Sequence, residues 1–347
     1  MMNRRAFLRS AGLAGAASLL PRPAGASPVP RPALLKPRRL SAGQTVGLVN
    51  PAGATYLRED IDYVKETLAA LGLRCEEGEH LLDRHGYLAG TDQARAEDVN
   101  RFFRDDGIDA ILAVRGGWGC ARILPLINYD AIAGNPKILC GYSDITALIL
   151  GVHAQTGLVT FHGPDGISTW NAFSVEWFKR VLFGGEAVTM RNPRTIGDNL
   201  APAKDRIEVI TPGTARGPLA GGNLSVLAGI VGSPYLPDWE GAILFLEDVG
   251  EDIYRIDRMM TQLRLAGILG RLAGFVFGKC SNCSPGEGYG SLTLPDVLHD
   301  HVAPLKIPAW GGAMIGHLES KFTLPIGIAA EIVAGEGTIR LLEPAVA

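Results

Sequence analysis

The most constraining feature of this sequence is an alternation of short apolar runs with amphipathic segments between residues 45 and 162. The run TVGLVNPAG ends in a turn, and residues 60–73 follow it with Ile61, Val64 and Leu68 at helical spacing. The same order recurs downstream, and it predicts helices at 94–104, 121–126 and 145–154 and strands at 110–114, 138–140 and 159–162. Strands that alternate with helices indicate a parallel sheet.

The pattern of apolar and polar residues changes after residue 185. Residues 190–212 are polar, and beyond them come two apolar strands, a helix between the strands and a final hairpin, at 242–246, 273–278, 253–265 and 330–342. A chain of 347 residues also exceeds the size at which single cores stop growing, roughly 250 to 300 residues. We therefore predict an α/β protein with an N-terminal doubly wound, mostly parallel, Rossmann- or flavodoxin-like domain (40–185), a linker (186–212) and a smaller mixed α+β domain (213–347).

The first 26 residues have the pattern of an export signal. Arg4 and Arg5 precede a short apolar stretch, Ala11 to Leu20, which is followed by Ala24-Gly25-Ala26, and the arginine pair resembles the twin-arginine type. The apolar stretch is too short to span a bilayer, which needs about 20 residues. We expect cleavage after Ala26, a linker at 27–39 and a periplasmic mature protein. Cleavage changes the formal net charge from −3 to −7, because four arginines and no acids are removed, and an acidic protein is a poor binder of nucleic acid.

The cysteines do not form a disulfide framework. Five cysteines are scattered over the chain, and only Cys280 and Cys283 are closely spaced. A structural zinc site would need a second pair or nearby histidines, which are absent from the next dozen residues. We interpret the pair as two loop thiols without a chemical role, with a local disulfide in an oxidising compartment as the alternative. We expect no metal and no cofactor.

Ser143 lies in KILCGYSDITALI, where a predicted strand meets a predicted helix. Ligands collect beyond the carboxyl ends of parallel strands, where the N–H groups of the next helix point. A serine here is either a nucleophile or a helix cap, because serine is a preferred N-cap and Asp144 suits the helix dipole. The usual G-x-S-x-G pattern is not met, since Ile145 stands at its last position. Both interpretations stay open at this point.

A glycine-rich loop, AVRGGWGCARILP, precedes Ser143 in the chain. Glycines let a backbone approach a ligand closely, and adjacent strands would place this loop beside Ser143. A glycine N–H of the loop would then be a second donor to an oxyanion. A phosphate-binding loop is the alternative, but neither of its usual glycine motifs is present.

A serine nucleophile needs a base, and the base needs an orienting group. Of the seven histidines, His162 and His317 lie in glycine-rich turns, where catalytic groups are often held. Three others, at positions 153, 299 and 301, lie in predicted helices, and we interpret them as surface histidines. Glu247 follows the apolar run AILFL and is either an orienting carboxylate or a solvated strand end.

Several separated motifs together resemble the LD-carboxypeptidase family of serine peptidases, which includes the microcin C self-immunity proteins. The motifs are RGGWG, GYSDITAL, TGLVTFHGP, LEDVGEDIYRIDRM and GHLESKFTLPIG, and YLAGTDQARAEDVNRFF fits as well. The likeness runs from about residue 40 to residue 342.

The resemblance implies a Ser143–Glu247–His317 triad in the cleft between the two domains. It also implies an oxyanion hole formed by backbone N–H groups of Asp144 and Gly117. The implied substrate is a murein tetrapeptide, cut between the L-centre of a diamino acid and terminal D-alanine.

Substrate binding is expected at the glycine-rich loop, through Arg115, Gly116 and Trp118. A substrate carboxylate needs a cation, for which Arg115 or Arg122 is favoured over Lys321.

Two other functions stay open. One is hydrolysis of an amide in a peptide antibiotic, as in the self-immunity proteins. The other is a periplasmic muropeptide-binding protein, which would bind without turnover and would tolerate Ser143→Ala. We expect no stable membrane insertion after signal cleavage. Family members are often dimers, so a homodimer is also open.

Overall fold

Two β-sheets form the framework of residues 32–194, 196, 198–285 and 290–347, which the computed structural model describes. The first sheet carries the strands of the predicted alternation and one strand from near the C-terminus. These strands are β1 (Thr45–Val49), β2 (Arg74–Glu77), β3 (Ala110–Ala113), β4 (Ile138–Gly141), β5 (Thr160–His162) and β12 (Leu324–Ile326). The spatial order is β12-β5-β4-β3-β1-β2, and all neighbours are parallel except β12, which is antiparallel to β5. The predicted doubly wound, mostly parallel sheet is therefore confirmed.

Helices connect these strands and form their crossovers. They are α1 (Arg58–Ala70), α2 (Asp92–Arg104), α3 (Cys120–Ile123), α4 (Tyr129–Gly134), α5 (Thr146–Thr156) and α6 (Ala172–Leu182), with 3₁₀ turns at Leu124–Leu126 and Ser143–Ile145. Helix α1 buries Ile61, Val64 and Leu68, the stripe predicted from spacing. Helix α2 begins at an N-cap, where the side chain of Thr91 accepts the N–H of Ala94 at 3.1 Å.

The second sheet has eight strands and mixed pairing. They are β6 (Thr189–Arg191), β7 (Glu208–Thr211), β8 (Thr214–Asn223), β9 (Ile243–Val249), β10 (Gly274–Ser281), β11 (Ala309–Gly311), β13 (Ala329–Val333) and β14 (Thr338–Leu341). Strands β8 to β11 are parallel neighbours, and antiparallel strands flank them in the order β6-β14-β13-β8-β9-β10-β11-β7. The associated helices are α7 (Leu224–Gly229), α8 (Ile253–Leu265) and α9 (Leu294–Val302), with 3₁₀ turns at Leu269–Arg271, Ala303–Leu305 and Ala334–Glu336.

Helix α5 lies between the two sheets, and its exposed residue, Gln155, is confined to its last turn. Its residues from Thr146 to Val152 are all buried, as expected for a helix without a solvent face. The Oγ1 of Thr146 accepts the backbone N–H of Asn223 at the end of β8, at 3.0 Å. A Cβ on Gly222 would lie only 2.6 Å from Thr146, so glycine permits this close approach. The helix that follows Ser143 is thus packed directly on the second sheet.

The segment predicted as a linker, 186–212, is not purely a connection. It supplies β6 and β7 to the second sheet, and β12 from the predicted C-terminal domain lies in the first sheet. The apolar signal was weak there because β6 has one buried residue, Met190, and β7 has one, Ile210. The domain boundaries 40–185, 186–212 and 213–347 stay predictions.

The N-terminal predictions lie largely outside the described residues. The signal peptide at 1–26 and residues 27–31 of the linker are outside them. The rest of the linker runs along the first sheet, where Leu35 donates its N–H to the carbonyl of Gly157 at 2.9 Å and accepts that of Val159 at 2.8 Å. Among the described residues, no helix has both the length and the apolar composition that a membrane crossing requires.

Candidate active site

Ser143 follows β4 and opens the 3₁₀ turn that leads into α5. Its φ is +61°, a left-handed conformation that is uncommon for residues other than glycine and that costs of order 1–3 kcal/mol. Tyr142 is the N-cap of the 3₁₀ turn and Ile145 that of α5. The helix-cap interpretation of Ser143 is therefore wrong. The Ser143 hydroxyl on this strained turn makes no capping hydrogen bond and can therefore contact a different side chain.

That partner is His317, which also contacts Glu247. The Ser143 Oγ and the His317 Nε2 are 3.0 Å apart, and the His317 Nδ1 and the Glu247 Oε2 are 2.8 Å apart. A carboxylate only accepts hydrogen bonds, so Nδ1 carries the imidazole proton. Nε2 is then the acceptor for the hydroxyl of Ser143. The structure thus brings together three side chains that lie up to 174 residues apart in the chain.

Glu247 lies within β9 and is completely buried. The interpretation of Glu247 as a solvated strand end is therefore wrong. Its second oxygen, Oε1, has no hydrogen-bond partner among the described residues. Gly316 makes the contact with His317 feasible, because its φ is +113° and a Cβ there would lie 2.5 Å from the Glu247 Oε2.

The glycine-rich loop packs against the Ser143 turn. A Cβ on Gly116 would lie 2.7 Å from the Cβ of Ser143, and Gly117 adopts a φ of +125°. The Asp144 carboxylate accepts the N–H of Cys120, at the start of α3, at 2.7 Å. Burial raises the pKa of Asp144, and the Cys120 N–H opposes that rise. One side chain therefore fixes the loop to the turn.

The three cations considered for substrate binding have different surroundings. Arg122 donates three hydrogen bonds to Asp92, between 2.9 and 3.1 Å. Arg115 is half-buried and donates to the carbonyl of Ala54 at 3.2 Å. Lys321 is buried, and its Nζ lies 4.1 Å from the ring centroid of Tyr142. Burial lowers its pKa. Placing Arg122 ahead of Lys321 is thus not supported, because Arg122 already pairs with a carboxylate.

Beside His317 lies a largely buried layer of polar side chains that was not predicted from the sequence. The ring of Tyr142 is 4.9 Å from that of His317 and 6.1 Å from that of His162. Asp165 accepts the hydroxyl of Ser168 at 2.7 Å, and burial raises the pKa of Asp165 to about 6. The signal was available in the sequence, since Tyr142 belongs to GYSD and Asp165 to FHGPD.

His162 is part of this layer and is not paired with Ser143. It is fully buried in β5, and neither ring nitrogen has a hydrogen-bond partner among the described residues. Burial, with smaller contributions from His317 and Lys321, lowers the pKa of His162 to about 3. A group with so low a pKa is a weak base near pH 7, so His162 is poorly suited to accept the Ser143 proton.

Two other sequence interpretations need correction. Cys280 and Cys283 form a disulfide, so the interpretation as two loop thiols is wrong. The Ser281 hydroxyl between them donates to the backbone carbonyl of His317 at 2.8 Å.

His301 was expected at the surface, but it is buried, with its Nε2 2.7 Å from the Oδ1 of Asp257. Among the described residues, no group of three or more His, Cys, Asp or Glu side chains is arranged to hold a metal ion.

The chain is similar to known proteins in both sequence and fold. The family model of the LD-carboxypeptidase N-terminal domain matches residues 46–163, and that of the C-terminal domain matches residues 216–332. A Bacillus subtilis protein named probable murein peptide carboxypeptidase is 38% identical over 308 residues, which cover 87% of this chain and 93% of that protein.

Two solved structures share the fold. The structure of MccF in complex with glutamyl sulfamoyl guanosine has a TM-score of 0.82 and 26% identity, and the match covers 90% of this chain and all of that one. Muramoyltetrapeptide carboxypeptidase from Oxalobacter formigenes has a TM-score of 0.74 and 26% identity, with 86% and 98% covered. The resemblance stated from the motifs is thus confirmed, and the chain belongs to the LD-carboxypeptidase family of serine carboxypeptidases.

Proposed function

We propose that this enzyme hydrolyses the amide bond between the L-centre of a diamino acid and terminal D-alanine in murein tetrapeptides. The observation that carries the proposal is the hydrogen-bonded chain from Ser143 through His317 to Glu247. The names of the B. subtilis and O. formigenes relatives support murein peptide as the substrate class.

The proposed mechanism follows from the protonation pattern of the three side chains. His317 Nε2 removes the hydroxyl proton as the Ser143 Oγ attacks the carbonyl carbon of the diamino acid. Glu247 holds the imidazole and stabilises its cationic form. His317 then gives the proton to the departing D-alanine amine. Water, activated by the same imidazole, releases the peptide from the acyl-enzyme and restores the serine.

The charge that develops on the carbonyl oxygen needs preorganised donors. We assign the backbone N–H groups of Asp144 and Gly117 to this role. Asp144 is the second residue of a 3₁₀ turn, whose first N–H groups lack acceptors within the turn. Gly117 lies in the loop that packs on Ser143. Losing one such donor typically slows turnover about a hundredfold to a thousandfold.

The terminal carboxylate of the substrate requires a cation near the scissile bond. Arg115 is the best candidate, because it directly precedes Gly116 and has no carboxylate partner in the part of the chain that the structure describes. Its Nε is also buried without an acceptor. An arginine can hold a carboxylate with two parallel hydrogen bonds.

Mass spectrometry of a purified murein tetrapeptide tests the proposal. We expect the mature protein to release D-alanine and Ser143→Ala to release it at least about a thousandfold more slowly. Peptide that is bound by both proteins but cleaved by neither would contradict the proposal and favour the binding-protein alternative.

A second candidate function is hydrolysis of an amide in a peptide antibiotic. The similarity to MccF bound to glutamyl sulfamoyl guanosine favours it. Competing the tetrapeptide against an aminoacyl sulfamoyl nucleoside in one reaction separates the two functions. We expect the larger kcat/KM for the tetrapeptide, and the opposite order would favour the second candidate.

We also propose export to the periplasm by the twin-arginine route. The support is the Arg4-Arg5 pair ahead of the apolar stretch. Cell fractionation should find the protein in the periplasm, and replacing both arginines with lysine should retain it inside the cell. Export that is unaffected by this change would indicate the general secretory route.

A further inference from the structure

Two aromatic side chains beside the site are in contact with each other and yet exposed. Tyr87 is 63% exposed and Trp118 is 55% exposed. Their ring centroids are 5.8 Å apart, and the rings are nearly perpendicular, at 88°. A single exposed aromatic residue is ordinary, whereas two rings in contact form an open apolar surface that usually has a binding role. We call this pair the aromatic platform.

The aromatic platform begins close to the nucleophile. Trp118 is two residues from Gly116, whose missing side chain would touch Ser143. Consecutive α-carbons are about 3.8 Å apart, so the α-carbon of Trp118 lies within about 8 Å of that of Gly116. The platform therefore lies within reach of a substrate that is held at Ser143.

The backbone beneath the aromatic platform is firmly held. The N–H of Ala54 donates to the carbonyl of Tyr87 at 3.0 Å, and that of Gly53 donates to the carbonyl of Gly116 at 3.2 Å. Arg95 is buried, and its Nη1 donates to the carbonyls of Gly119 and Pro51 at 2.9 and 2.6 Å. The segments that contain Tyr87 and Trp118 are thus both anchored to the turn at 51–54. Little conformational entropy of the backbone is therefore lost when a ligand binds.

The chemistry of the aromatic platform suits a sugar ring. An edge-to-face pair leaves ring faces open, and these faces carry partial negative charge. A pyranose presents C–H groups on its faces, which pack on aromatic rings, and polar groups at its edge. A polar partner is available near Tyr87, because Arg84 lies three residues before it, with its guanidinium 4.2 Å from the ring centroid of the exposed Tyr56.

We propose that Tyr87 and Trp118 bind the amino-sugar ring to which a murein stem peptide is attached, so that the enzyme favours glycan-bearing tetrapeptides over free ones. This inference rests on the proposed function. In such a substrate three amino acids separate the sugar from the scissile bond, a span of roughly 10 to 11 Å if they are extended and α-linked. That span is compatible with the short distance from Gly116 to Trp118.

The test compares kcat/KM for the free tetrapeptide and for the disaccharide tetrapeptide in each variant. We expect the unaltered enzyme to prefer the disaccharide form by about three- to tenfold, the range that an aromatic contact supplies. Trp118→Leu keeps apolar bulk without an aromatic face, and its ratio should fall towards one. Trp118→Phe should retain most of the preference. Leu265→Ala is the control, since Leu265 is 81% exposed at the end of α8, and its ratio should equal that of the unaltered enzyme.

Equal ratios in the unaltered enzyme and Trp118→Leu, with both substrates cleaved, would overturn the inference and leave the proposed function intact. A shift of oligomeric state in Trp118→Leu, with equal loss on both substrates, would identify the platform as a protein contact and also overturn it. Absence of cleavage would count against the proposed function instead.

Saturation-transfer NMR with the disaccharide tetrapeptide and the Ser143→Ala protein tests the platform without turnover. Transfer to the sugar C–H protons that is lost when Trp118→Leu is added, while transfer to the peptide protons remains, would support the inference. Transfer to the peptide protons without transfer to the sugar protons would overturn it.

Discussion

The Ser143 turn and the His317 loop contribute to the same site, but they are held in place in different ways. Ser143 is positioned by its own backbone, at a φ of +61°, and by a loop about 25 residues upstream that packs on it. His317 is positioned by partners from distant parts of the chain. Its ring contacts Glu247, and its carbonyl accepts the hydroxyl of Ser281. The proposed nucleophile is thus held mainly by local contacts, whereas the position of the proposed base depends on the packing of the second sheet.

The loop before His317 also depends on a residue that is distant in the chain. The loop that leads to His317 is held by Asn192, whose side chain accepts the N–H of Met314 at 3.1 Å and donates to the carbonyl of Gly312 at 2.8 Å. Substitutions far from His317 in sequence can therefore displace its ring. Displacements of about 1 Å are enough to cost on the order of a hundredfold in rate.

The largest expected effect is that of changing Glu247, which holds the ring of His317. Glu247→Gln keeps the volume of a completely buried side chain but loses the carboxylate that fixes the Nδ1 proton of His317. We expect kcat to fall by roughly a thousandfold to ten-thousandfold while the protein stays folded. Steady-state kinetics and circular dichroism provide the measurement. Glu331→Gln, which changes a carboxylate on β13, is the control. A loss below tenfold would remove Glu247 from the mechanism.

The next largest effect is expected at Gly116, in the loop that packs on the Ser143 turn. Gly116→Ala would place a methyl group 2.7 Å from the Cβ of Ser143, so either the loop or the turn must move. We expect kcat/KM to fall by about a hundredfold. Gly134→Ala is a matched control, because a Cβ at Gly134 would meet nothing within 4 Å. Unchanged kinetics in Gly116→Ala would show that the turn is less tightly held than its contacts indicate.

A pH-dependent effect is expected at Asp165, in the polar layer beside His317. Burial raises its pKa from 3.8 to about 6. Since the folded pKa is the higher one, the stabilising contribution is complete below about pH 3.8 and is lost as the pH rises through about 6. Each pKa unit corresponds to about 1.4 kcal/mol, so the loss is about 3 kcal/mol.

Asp165→Asn removes this titration. The free energy of unfolding of the variant, minus that of the unaltered protein, should therefore rise by about 3 kcal/mol between pH 3.5 and pH 7. Urea denaturation at several pH values measures this difference. Asp130→Asn, which changes an exposed carboxylate of α4, is the control. A constant difference for Asp165→Asn would place the titration elsewhere.

The smallest expected effect concerns the disulfide next to the His317 carbonyl. Replacing Cys280 and Cys283 with serine opens a loop of four residues, for which the loop-entropy relation gives at most about 2 kcal/mol of lost stability. We expect a loss of that size in the free energy of unfolding and a change in kcat below tenfold. Cys75→Ser, at a free cysteine, is the control. A loss of activity above a hundredfold would mean that this loop, like Glu247, sets the position of His317.

The fold was largely predictable from the sequence, because the buried strands are apolar and alternate with periodic helices. The exceptions have physical reasons. Strand β2 is exposed on alternate residues and lacks an apolar run. Strand β8 contains three glycines, and a Cβ on one of them, Gly221, would lie 1.8 Å from the carbonyl oxygen of Phe245. Its glycines allow the close approach of β9 but resemble a loop in sequence.

The candidate site was only partly predictable from the residues alone. The junction of strand and helix indicated Ser143, but its role stayed open between nucleophile and cap. Seven histidines left the base open, and the family resemblance selected His317 and Glu247. Long-range packing explains the limit, since Glu247 and His317 are 70 residues apart and nothing in either local sequence specifies their contact.

Strand β12 has a consequence for how such proteins can be recombined. The chain leaves the second sheet at β11, passes His317, enters the first sheet as β12 and returns to the second sheet as β13. A fragment that starts at residue 213 would therefore carry an edge strand that belongs to the other half, and the first half alone would leave β5 uncovered. The two halves are consequently poor units for domain exchange between relatives. A chimera would have to transfer β12 and its pairing with β5 together.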